Sequence, residues 1–265
     1  MWRPGKRKEP VDYDSELQRH NQRLRQAYHI RPGDRVLDIG CGAGQTTRDA
    51  ARMAAAGSAH GVDTSQVMIR RARDLTEEEG LTNVTFQNAD VATSRFPDEP
   101  FDIAISRFGT MFFDEPTSAF TNIGRALRPG ARLVMMVWQA HQQNEWAVAI
   151  DRALTGDRST SPPPAETLDP FSLADPTATK GILHSAGFGE PAFTDVHEPV
   201  FYGADVDAAM DWVTGFQSIG EALHLMDPTS ASAALQRIRQ AIASQQSKDG
   251  VWFDSRAWIV TARRL

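Results

Sequence analysis

The chain has 265 residues, 41% of them hydrophobic and 23% charged, which fits one large globular domain or a domain with an insertion. Its formal net charge of -6 disfavours electrostatic binding to nucleic acid, and no apolar stretch is long enough to span a membrane. The single cysteine, Cys41, excludes an internal disulfide and a multi-cysteine metal site. We therefore expect a soluble cytoplasmic protein, with the basic run at residues 3–8 forming a tail rather than a signal peptide.

Short apolar runs alternate with helical patterns through the first half of the chain. They predict strands at residues 35–40, 59–63, 83–90, 101–107 and 131–138, and helices at 46–56, 65–79 and 115–127. Strands separated by helices of this length imply right-handed crossovers and a parallel sheet that is covered on both faces. Ligands of such sheets bind at the carboxyl ends of the strands, so we expect the functional residues at these ends.

The second half of the chain is less regular. Five prolines between residues 161 and 176 predict an extended loop. Beyond it, the pattern predicts helices at 177–186, 205–216 and 230–245 and strands at 193–201 and 256–262. The two later helices interrupt the last pair of strands, so we expect them to form a cap.

The most informative motif is VLDIGCGAG at residues 36–44. Gly40, Gly42 and Gly44 form a G-x-G-x-G turn between a predicted strand and a predicted helix, where glycine permits a sharp turn and the close approach of a ligand. The exposed amides at the start of that helix attract a carboxylate or a phosphate. Dinucleotide-binding folds favour G-x-G-x-x-G, and Gln45 occupies the position of its third glycine, which disfavours a nicotinamide cofactor.

Three aspartates lie in or directly after predicted strands. Asp38, inside the first strand, suits a cofactor that carries an ammonium group rather than a pyrophosphate. Asp63 ends the second strand in GVDTS, where a carboxylate can accept both ribose hydroxyls of an adenosine. Asp90 ends the third strand in NADV and either receives the adenine amino group, with Met68 and Val91 against the ring, or caps the following helix.

Five motifs together resemble one family. VLDIGCGAG, GVDTS, NADV, FDIAISRFG and ALRPGARLVM have the order and spacing found in class I S-adenosylmethionine-dependent methyltransferases. The chain is most similar to the small-molecule group that includes the ubiquinone and menaquinone methyltransferases. The match is close over residues 36–138 and looser in the C-terminal AWIVTARR. The resemblance implies S-adenosylmethionine as the cofactor, with binding residues Asp38, Gly40, Gly42, Gly44, Asp63, Thr64, Met68, Asp90, Val91, Ser106 and Arg107, the last two near the sulfonium.

The resemblance also implies an α/β fold, a Rossmann-like, doubly wound and mainly parallel seven-stranded sheet. It ends in an antiparallel strand and carries a helical cap before that strand. On this basis we divide the chain into an N-terminal tail and helix over the cofactor cleft (1–30) and a cofactor-binding core (31–140). A lid loop, helix and sixth strand (141–203), a helical cap (204–250) and the last strand of the core sheet (251–265) follow.

Few side chains are needed for the chemistry, because transfer from a sulfonium depends mainly on alignment of the reacting atoms. A base is required only when the acceptor must lose a proton. His141, which follows the fifth strand, is either that general base or an exposed loop histidine. Tyr13 and His20 belong to a segment that either folds over the cofactor or forms an ordinary amphipathic helix. Cys41 is expected to pack under the glycine turn.

Large apolar side chains follow the fourth and fifth strands. They either wall an apolar acceptor pocket or belong to the core. They are Phe108, Met111, Phe112, Trp138 and Trp146, with Phe113 and the cap residues Trp212 and Phe216 as further candidates. Ser106–Gly109 stands where methyltransferases that modify nucleobase amines carry an Asn/Asp-Pro-Pro-aromatic turn, so base methylation is disfavoured.

The first hypothesis is an enzyme that transfers a methyl group to oxygen, carbon or nitrogen of a small, hydrophobic metabolite. The alternative is a protein that binds S-adenosylmethionine without transferring methyl, as a regulator or as the scaffold of another reaction, since both require the same cofactor motif. We expect a small-molecule acceptor, no metal, no nucleic-acid or membrane partner, and leave a homodimer open.

Overall fold

The computed structural model describes residues 13–97, 99–156 and 169–265. The predicted basic tail and residues 161–168 of the predicted proline-rich loop lie outside these ranges. The helices are α1 (Tyr13–Glu16), α2 (Gln18–Tyr28), α3 (Gln45–Met53), α4 (Gln66–Glu78), α5 (Pro116–Ala126), α6 (Glu145–Thr155), α7 (Pro176–Ser185), α8 (Val206–Thr214), α9 (Gln217–Leu225) and α10 (Pro228–Ser244). The strands are β1 (Arg35–Ile39), β2 (Ser58–Asp63), β3 (Val84–Asn88), β4 (Phe101–Arg107), β5 (Leu127–Trp138), β6 (Ala192–His197), β7 (Val200–Gly203), β8 (Gln246–Ser247), β9 (Gly250–Phe253) and β10 (Arg256–Arg263).

Seven strands form one sheet in the order β3-β2-β1-β4-β5-β10-β6. The first five run parallel to their neighbours, and β10 is antiparallel to β5, as the fold class predicts. The strands β1, β4 and β5 consist largely of buried Val, Ile, Leu and Met side chains, which is typical of a parallel sheet covered on both faces. Because β1 is central, its carboxyl end lies between those of β2 and β4.

The chain divides into two compact units, a sheet unit and a helical unit. Among the described residues, the sheet unit consists of 20–97, 99–140, 169–196 and 257–265, and the helical unit consists of 13–19, 141–156 and 197–256. The helical unit has a three-stranded sheet in the order β7-β9-β8, whose strands are antiparallel. Its helix α10 packs against α6 and α8 through buried Ala234, Ile238 and Ile242.

Several predicted boundaries are wrong. The single strand predicted at 193–201 is two strands, β6 and β7, which belong to different sheets and are separated at Glu198 and Pro199. Proline has no backbone N–H to continue a ladder, and this explains the break. Residues 250–253, predicted to lie largely in the last strand of the core sheet, form β9 of the small sheet instead.

Further corrections concern a helix that was not predicted, the bounds of two helices and the start of one strand. Helix α9 was not predicted, and α3 ends at Met53 rather than at 56. Strand β5 begins at Leu127 instead of 131, because Leu127 pairs with Phe101 before a shift in register. Pro176 begins helix α7, a position where its missing N–H costs nothing, rather than ending a loop.

No helix within the described ranges is long and apolar enough to cross a membrane.

Candidate functional site

The glycine turn connects β1 to α3 at the carboxyl end of the central strand. Gly40, Gly42 and Gly44 all have positive φ angles, of 66°, 53° and 78°, which side chains other than glycine rarely adopt. The amides of Gly40 and Cys41 both donate to Val62 O in β2, over 2.8 and 3.1 Å. The turn is thereby fixed to the neighbouring strand.

A second turn lies directly against the first. A Cβ on Gly40 would stand 2.8 Å from the Cα of Gly109, and a Cβ on Gly109 would stand 2.7 Å from Ile39 O. Ser106 joins the two turns, since its hydroxyl donates to Ile39 O over 2.8 Å and accepts from the Gly109 amide over 3.3 Å. Ser106 was predicted to line the sulfonium site, and its hydroxyl hydrogen is committed to the backbone. Gly109 was not predicted.

Asp63 bridges the glycine turn and the start of α4. Its Oδ2 accepts from the Gly42 amide over 2.9 Å, and its Oδ1 accepts from the Ser65 amide over 2.7 Å. These bonds fix the direction of the carboxylate, and each oxygen retains a lone pair for another donor. A Cβ on Gly42 would meet no described atom within 4 Å, so space is open beside this turn.

Asp38 is fully buried in the middle of β1. Its Oδ2 accepts from the hydroxyls of Thr46 and Thr47, both over 2.6 Å. Its Oδ1 is buried and has no hydrogen-bond partner among the described residues. Burial raises the pKa of Asp38 to about 6, although both threonine hydrogen bonds and the charge of Arg107 oppose this rise.

Helix α2 adds polar groups to the same neighbourhood. Asn21 Nδ2 donates to Gln45 Oε1 over 3.1 Å, and Arg107 Nη1 donates to the same oxygen over 2.6 Å. Tyr28 is fully buried, and burial together with the charge of Asp38 raises the pKa of its hydroxyl. Asn21 Oδ1 and Tyr28 Oη are buried and lack hydrogen-bond partners among the described residues.

An aromatic group lies at the ends of β4 and β5. The rings of Phe108 and Trp138 stack with centroids 3.9 Å apart, and His20 meets both rings edge-on at 5.7 and 5.3 Å. Phe108 has a φ of 57°, an uncommon conformation for a residue with a side chain. Burial, reinforced by the charge of Arg107, lowers the pKa of His20 to about 3, so this imidazole is neutral at physiological pH.

The residues predicted to bind adenine lie beyond β2 and β3. Asp90 is exposed, and its Oδ1 accepts from the Ala92 amide over 2.8 Å, which stabilises a turn. Val91 is buried, Met68 half-buried and Thr64 exposed.

The remaining predicted residues differ in their surroundings. Cys41 packs with Ile69, Ala72 and Phe86 under the glycine turn, as predicted, and burial raises the pKa of its thiol. Two apolar residues of the sheet unit that were predicted to line an acceptor pocket differ in exposure, since Met111 is buried and Phe112 is 41% exposed.

Three further candidates belong to the helical unit. The indole N–H of Trp146 donates to Asn144 Oδ1 over 3.2 Å. His141 Nε2 lies 2.7 Å from Asp151 Oδ2, an arrangement that orients the imidazole. Tyr13 is 41% exposed and meets the ring of Trp212 edge-on. Within the described ranges, no group of three or more His, Cys, Asp and Glu side chains is arranged to hold a metal ion.

Besides Gly109, five residues of this neighbourhood were not predicted: Asn21, Tyr28, Gln45, Thr46 and Thr47. Two signals were present in the sequence. Asn21 and Tyr28 share one helix face with Leu24, at spacings of three and four, which marks them as inward-facing. The polar run Gln45-Thr46-Thr47 directly follows the glycine turn, where a helix begins.

Comparison with known proteins identifies the family. The methyltransferase domain family matches residues 36–130, which contain the glycine turn, Asp63 and β4. The ubiquinone/menaquinone biosynthesis C-methyltransferase UbiE of Teredinibacter turnerae is 30% identical over 61% of this chain and 69% of its own length. The chain belongs to the class I S-adenosylmethionine-dependent methyltransferases of the small-molecule type. S-adenosylmethionine is accordingly its cofactor.

Other relatives cover different shares of this methyltransferase. The nocamycin O-methyltransferase of Saccharothrix syringae is 27% identical over 84% of this chain and 82% of its own length. The methyltransferase phqN of Penicillium fellutanum is 34% identical over 44% of this chain, which spans only 36% of that longer protein.

Solved structures share the fold of this methyltransferase. The YcgJ protein of Bacillus subtilis superposes over 93% of this chain and 98% of its own, with a TM-score of 0.63 and 19% identity. The [4+2]-cyclase SpnF superposes over 93% of this chain and 80% of its own, with a TM-score of 0.54 and 23% identity.

Proposed function

We propose that this protein transfers the methyl group of S-adenosylmethionine to oxygen, carbon or nitrogen of a small, hydrophobic metabolite, using a cofactor site at the carboxyl ends of β1, β2 and β4. The observation that carries the site is Asp38, whose buried Oδ1 lacks a partner among the described residues beside a turn with open space at Gly42. A buried carboxylate oxygen of this kind is costly unless a ligand satisfies it. The ammonium group of the cofactor has the charge and the donors to do so.

The other cofactor residues follow along the strand ends. Gly40, Gly42 and Gly44 let the backbone approach the methionine part, with Arg107 beside it. Asp63 accepts the ribose hydroxyls with a carboxylate that two backbone amides already orient. Around the adenine we place Thr64, Met68, Asp90 and Val91. Ser106 acts as a positioning residue, because its hydroxyl holds the turn after β4 against the end of β1.

When bound, S-adenosylmethionine supplies an activated methyl group that a nucleophile attacks in line with the sulfur. The protein contributes alignment, which is worth several kcal/mol when reacting groups are held near their productive geometry. Asp38 holds the methionine end of the cofactor, and Asp63 holds its ribose. His20 packs against Phe108 and Trp138 and is neutral, so it adds no positive charge beside these rings.

Two observations support a small, hydrophobic acceptor. The relatives include a ubiquinone/menaquinone biosynthesis C-methyltransferase and a nocamycin O-methyltransferase. In this chain, Phe108 and Trp138 place aromatic surface at the ends of β4 and β5, next to the cofactor residues of β4. Apolar lining with few polar groups is typical of sites for such molecules.

His141 is the candidate general base for an acceptor that must lose a proton, with Asp151 orienting the imidazole. Replacing His141 by Gln should lower kcat by about 10²-fold or more with such an acceptor and leave the affinity for S-adenosylhomocysteine unchanged. His197→Gln is the matched control, because His197 forms a similar exposed pair with Asp254 over 2.6 Å. Equal kcat values for the two variants would remove His141 from the mechanism.

The alternative function is S-adenosylmethionine binding without methyl transfer, and one observation favours keeping it. SpnF shares this fold and is described as a [4+2]-cyclase, so the fold alone does not decide the reaction. Calorimetric titration with S-adenosylhomocysteine, followed by a methyl-transfer screen with hydrophobic phenols, quinones and amines, separates the two. We expect binding and turnover, and binding without turnover across the screen would favour the alternative. Light scattering on the same sample tests for a homodimer.

A further inference from the structure

The segment that follows β3, residues 89–94, is irregular in conformation and is named here the β3 turn. Asp90 O accepts from the Ser94 amide over 2.9 Å, and Asp90 Oδ1 accepts from the Ala92 amide over 2.8 Å. Asp90 is exposed, whereas Val91 is only 5% exposed. Because the turn belongs to no helix or strand, its shape depends on bonds of this kind.

Asn122 of α5 holds the far end of the β3 turn. Its Nδ2 donates to Val91 O and to Ser94 O, both over 2.8 Å, so both N–H groups of the amide are used. The same helix packs into the core through the fully buried side chains of Phe120 and Ile123. The amide of Asn122 is therefore carried by a firmly packed helix.

The near end of the β3 turn is bonded to the end of β2. Asp63 O accepts from Asn88 Nδ2 and from the Ala89 amide, both over 3.0 Å. The carboxylate of the same aspartate accepts from the Gly42 amide. The turn is thus held between β2 and α5, although irregular backbone of this kind is often the least stable part of a fold.

We propose that Asn122 is a positioning residue for the recognition of adenine. This inference rests on the proposed function, which places the base at Asp90 and Val91. By bonding two carbonyls of the β3 turn, Asn122 keeps the backbone in the form that presents the carboxylate of Asp90 to the exocyclic amino group of adenine. It acts through the turn rather than by contact with the base.

A base that has an oxygen in place of this amino group tests the geometry. Adenine presents an N–H donor, which a carboxylate accepts, whereas hypoxanthine presents a carbonyl oxygen, which a carboxylate repels. A site that pairs with one polar group rejects an analogue lacking that group, because its own polar atoms stay unpaired. Hydrogen bonds weaken steeply when they are misaligned, so a turn displaced by about 1 Å should lose this selectivity.

Asn83 is the matched control, because it forms the same kind of bonds at the opposite end of β3. Its Nδ2 donates to Ala51 O and to Ala54 O, both over 3.0 Å, and the residue directly precedes the strand. Replacing either asparagine by alanine removes the donor from two backbone carbonyls. Both variants should therefore lower the midpoint of chemical denaturation to a similar extent, and only the effect on the cofactor distinguishes them.

Calorimetric titration of the intact chain with S-adenosylhomocysteine and S-inosylhomocysteine tests the proposal. We expect wild-type protein to bind the adenine compound about 10- to 100-fold more tightly than the hypoxanthine compound. Asn122→Ala should reduce this ratio to within about threefold, and Asn83→Ala should preserve it. Asn122→Ser retains one donor and should give an intermediate ratio.

A double variant shows whether Asn122 acts through Asp90. Asp90→Asn should also reduce the ratio, because an amide can donate to the oxygen of hypoxanthine as well as accept from adenine. In that background Asn122→Ala should change the ratio no further, since the interaction that it positions is already gone. Independent effects of the two substitutions on the ratio would contradict action through Asp90.

The outcomes separate this role from the proposed function. A wild-type ratio near one overturns the positioning role even if S-adenosylhomocysteine binds, and this measurement needs no variant to fold. An unchanged ratio in Asn122→Ala, or an equal loss of the ratio in Asn83→Ala, overturns it as well. Failure of wild-type protein to bind S-adenosylhomocysteine contradicts the proposed function instead.

Discussion

Two regions of this protein differ in the burial and the pairing of their polar groups. At the carboxyl ends of β1, β2 and β4, buried oxygens of Asp38, Asn21 and Tyr28 lack partners among the described residues. In the helical unit, the imidazole of His197 is exposed and pairs with Asp254 over 2.6 Å. Exposed charged pairs contribute little to stability, and their polar groups are satisfied without a ligand. Buried unpaired groups lower the stability of the ligand-free protein. A protein retains them where hydrogen bonds to a ligand offset that loss.

The largest effect should come from the backbone of the glycine turn. We expect Gly40→Ala to destabilise the protein by about 2–4 kcal/mol, because a Cβ at positive φ is strained and would stand 2.8 Å from the Cα of Gly109. Chemical denaturation measures this change in the free energy of unfolding. Gly220→Ala in α9 is the matched control, since its Cβ would meet no described atom within 4 Å. That variant should gain about 0.5–1 kcal/mol, and equal losses in both variants would contradict the strain at Gly40.

Replacement of Asp38 should separate stability from binding. Asp38→Asn removes a buried charge, so the ligand-free protein should become more stable at neutral pH by about 1–3 kcal/mol. The same change should weaken S-adenosylhomocysteine binding by about 10- to 100-fold, because the ammonium group loses its anionic partner. Thermal unfolding without ligand and calorimetry with ligand measure the two effects. A variant that loses stability and keeps its affinity would contradict the role given to Asp38.

The pH dependence follows from the raised pKa of Asp38, about 6 in the folded protein against 3.8 ordinarily. The folded state binds this proton more tightly than the unfolded chain does. The contribution of Asp38 to ligand-free stability is therefore greatest below about pH 4 and is lost as the pH rises through about 6. Ligand binding shows the opposite trend, since the ammonium group requires the ionised carboxylate. Affinity for S-adenosylhomocysteine should fall about five- to sixfold between pH 6 and pH 5, and Asp38→Asn should abolish that slope.

The sequence predicted the sheet well and the helical unit less well. Strands β1, β2 and β4 were placed almost to the residue because each is a compact apolar run that ends at a glycine or a polar residue. The residues at 193–201 are also strand-like throughout, and nothing local records that β6 and β7 pair with different sheets. Helix α9 went unnoticed because Gly220 interrupts its apolar pattern.

The candidate site was predicted on the strands and missed on the helices. The glycine turn and Asp38 belong to one motif, and Asp63 ends the neighbouring parallel strand β2, so their meeting follows from the connection of β1 to β2 through α3. Asn21 and Tyr28 reach the same place only because α2 packs there, and a polar residue on an amphipathic helix is equally compatible with solvent. In the sequence, Gln45 was noted only because it occupies the position of the third glycine of G-x-G-x-x-G. Its hydrogen bonds to Asn21 and Arg107 depend on tertiary packing.

We propose that the glycine turn and Asp63 hold the adenosine and methionine parts of S-adenosylmethionine. The most direct test is a paired calorimetric titration of wild-type protein and Asp63→Ala with S-adenosylhomocysteine. We predict one binding site per chain in the wild-type protein and an affinity reduced by about 1–3 kcal/mol in the variant, through the loss of charge-assisted hydrogen bonds. Equal affinity in the two proteins, or no binding by the wild-type protein, would contradict this account.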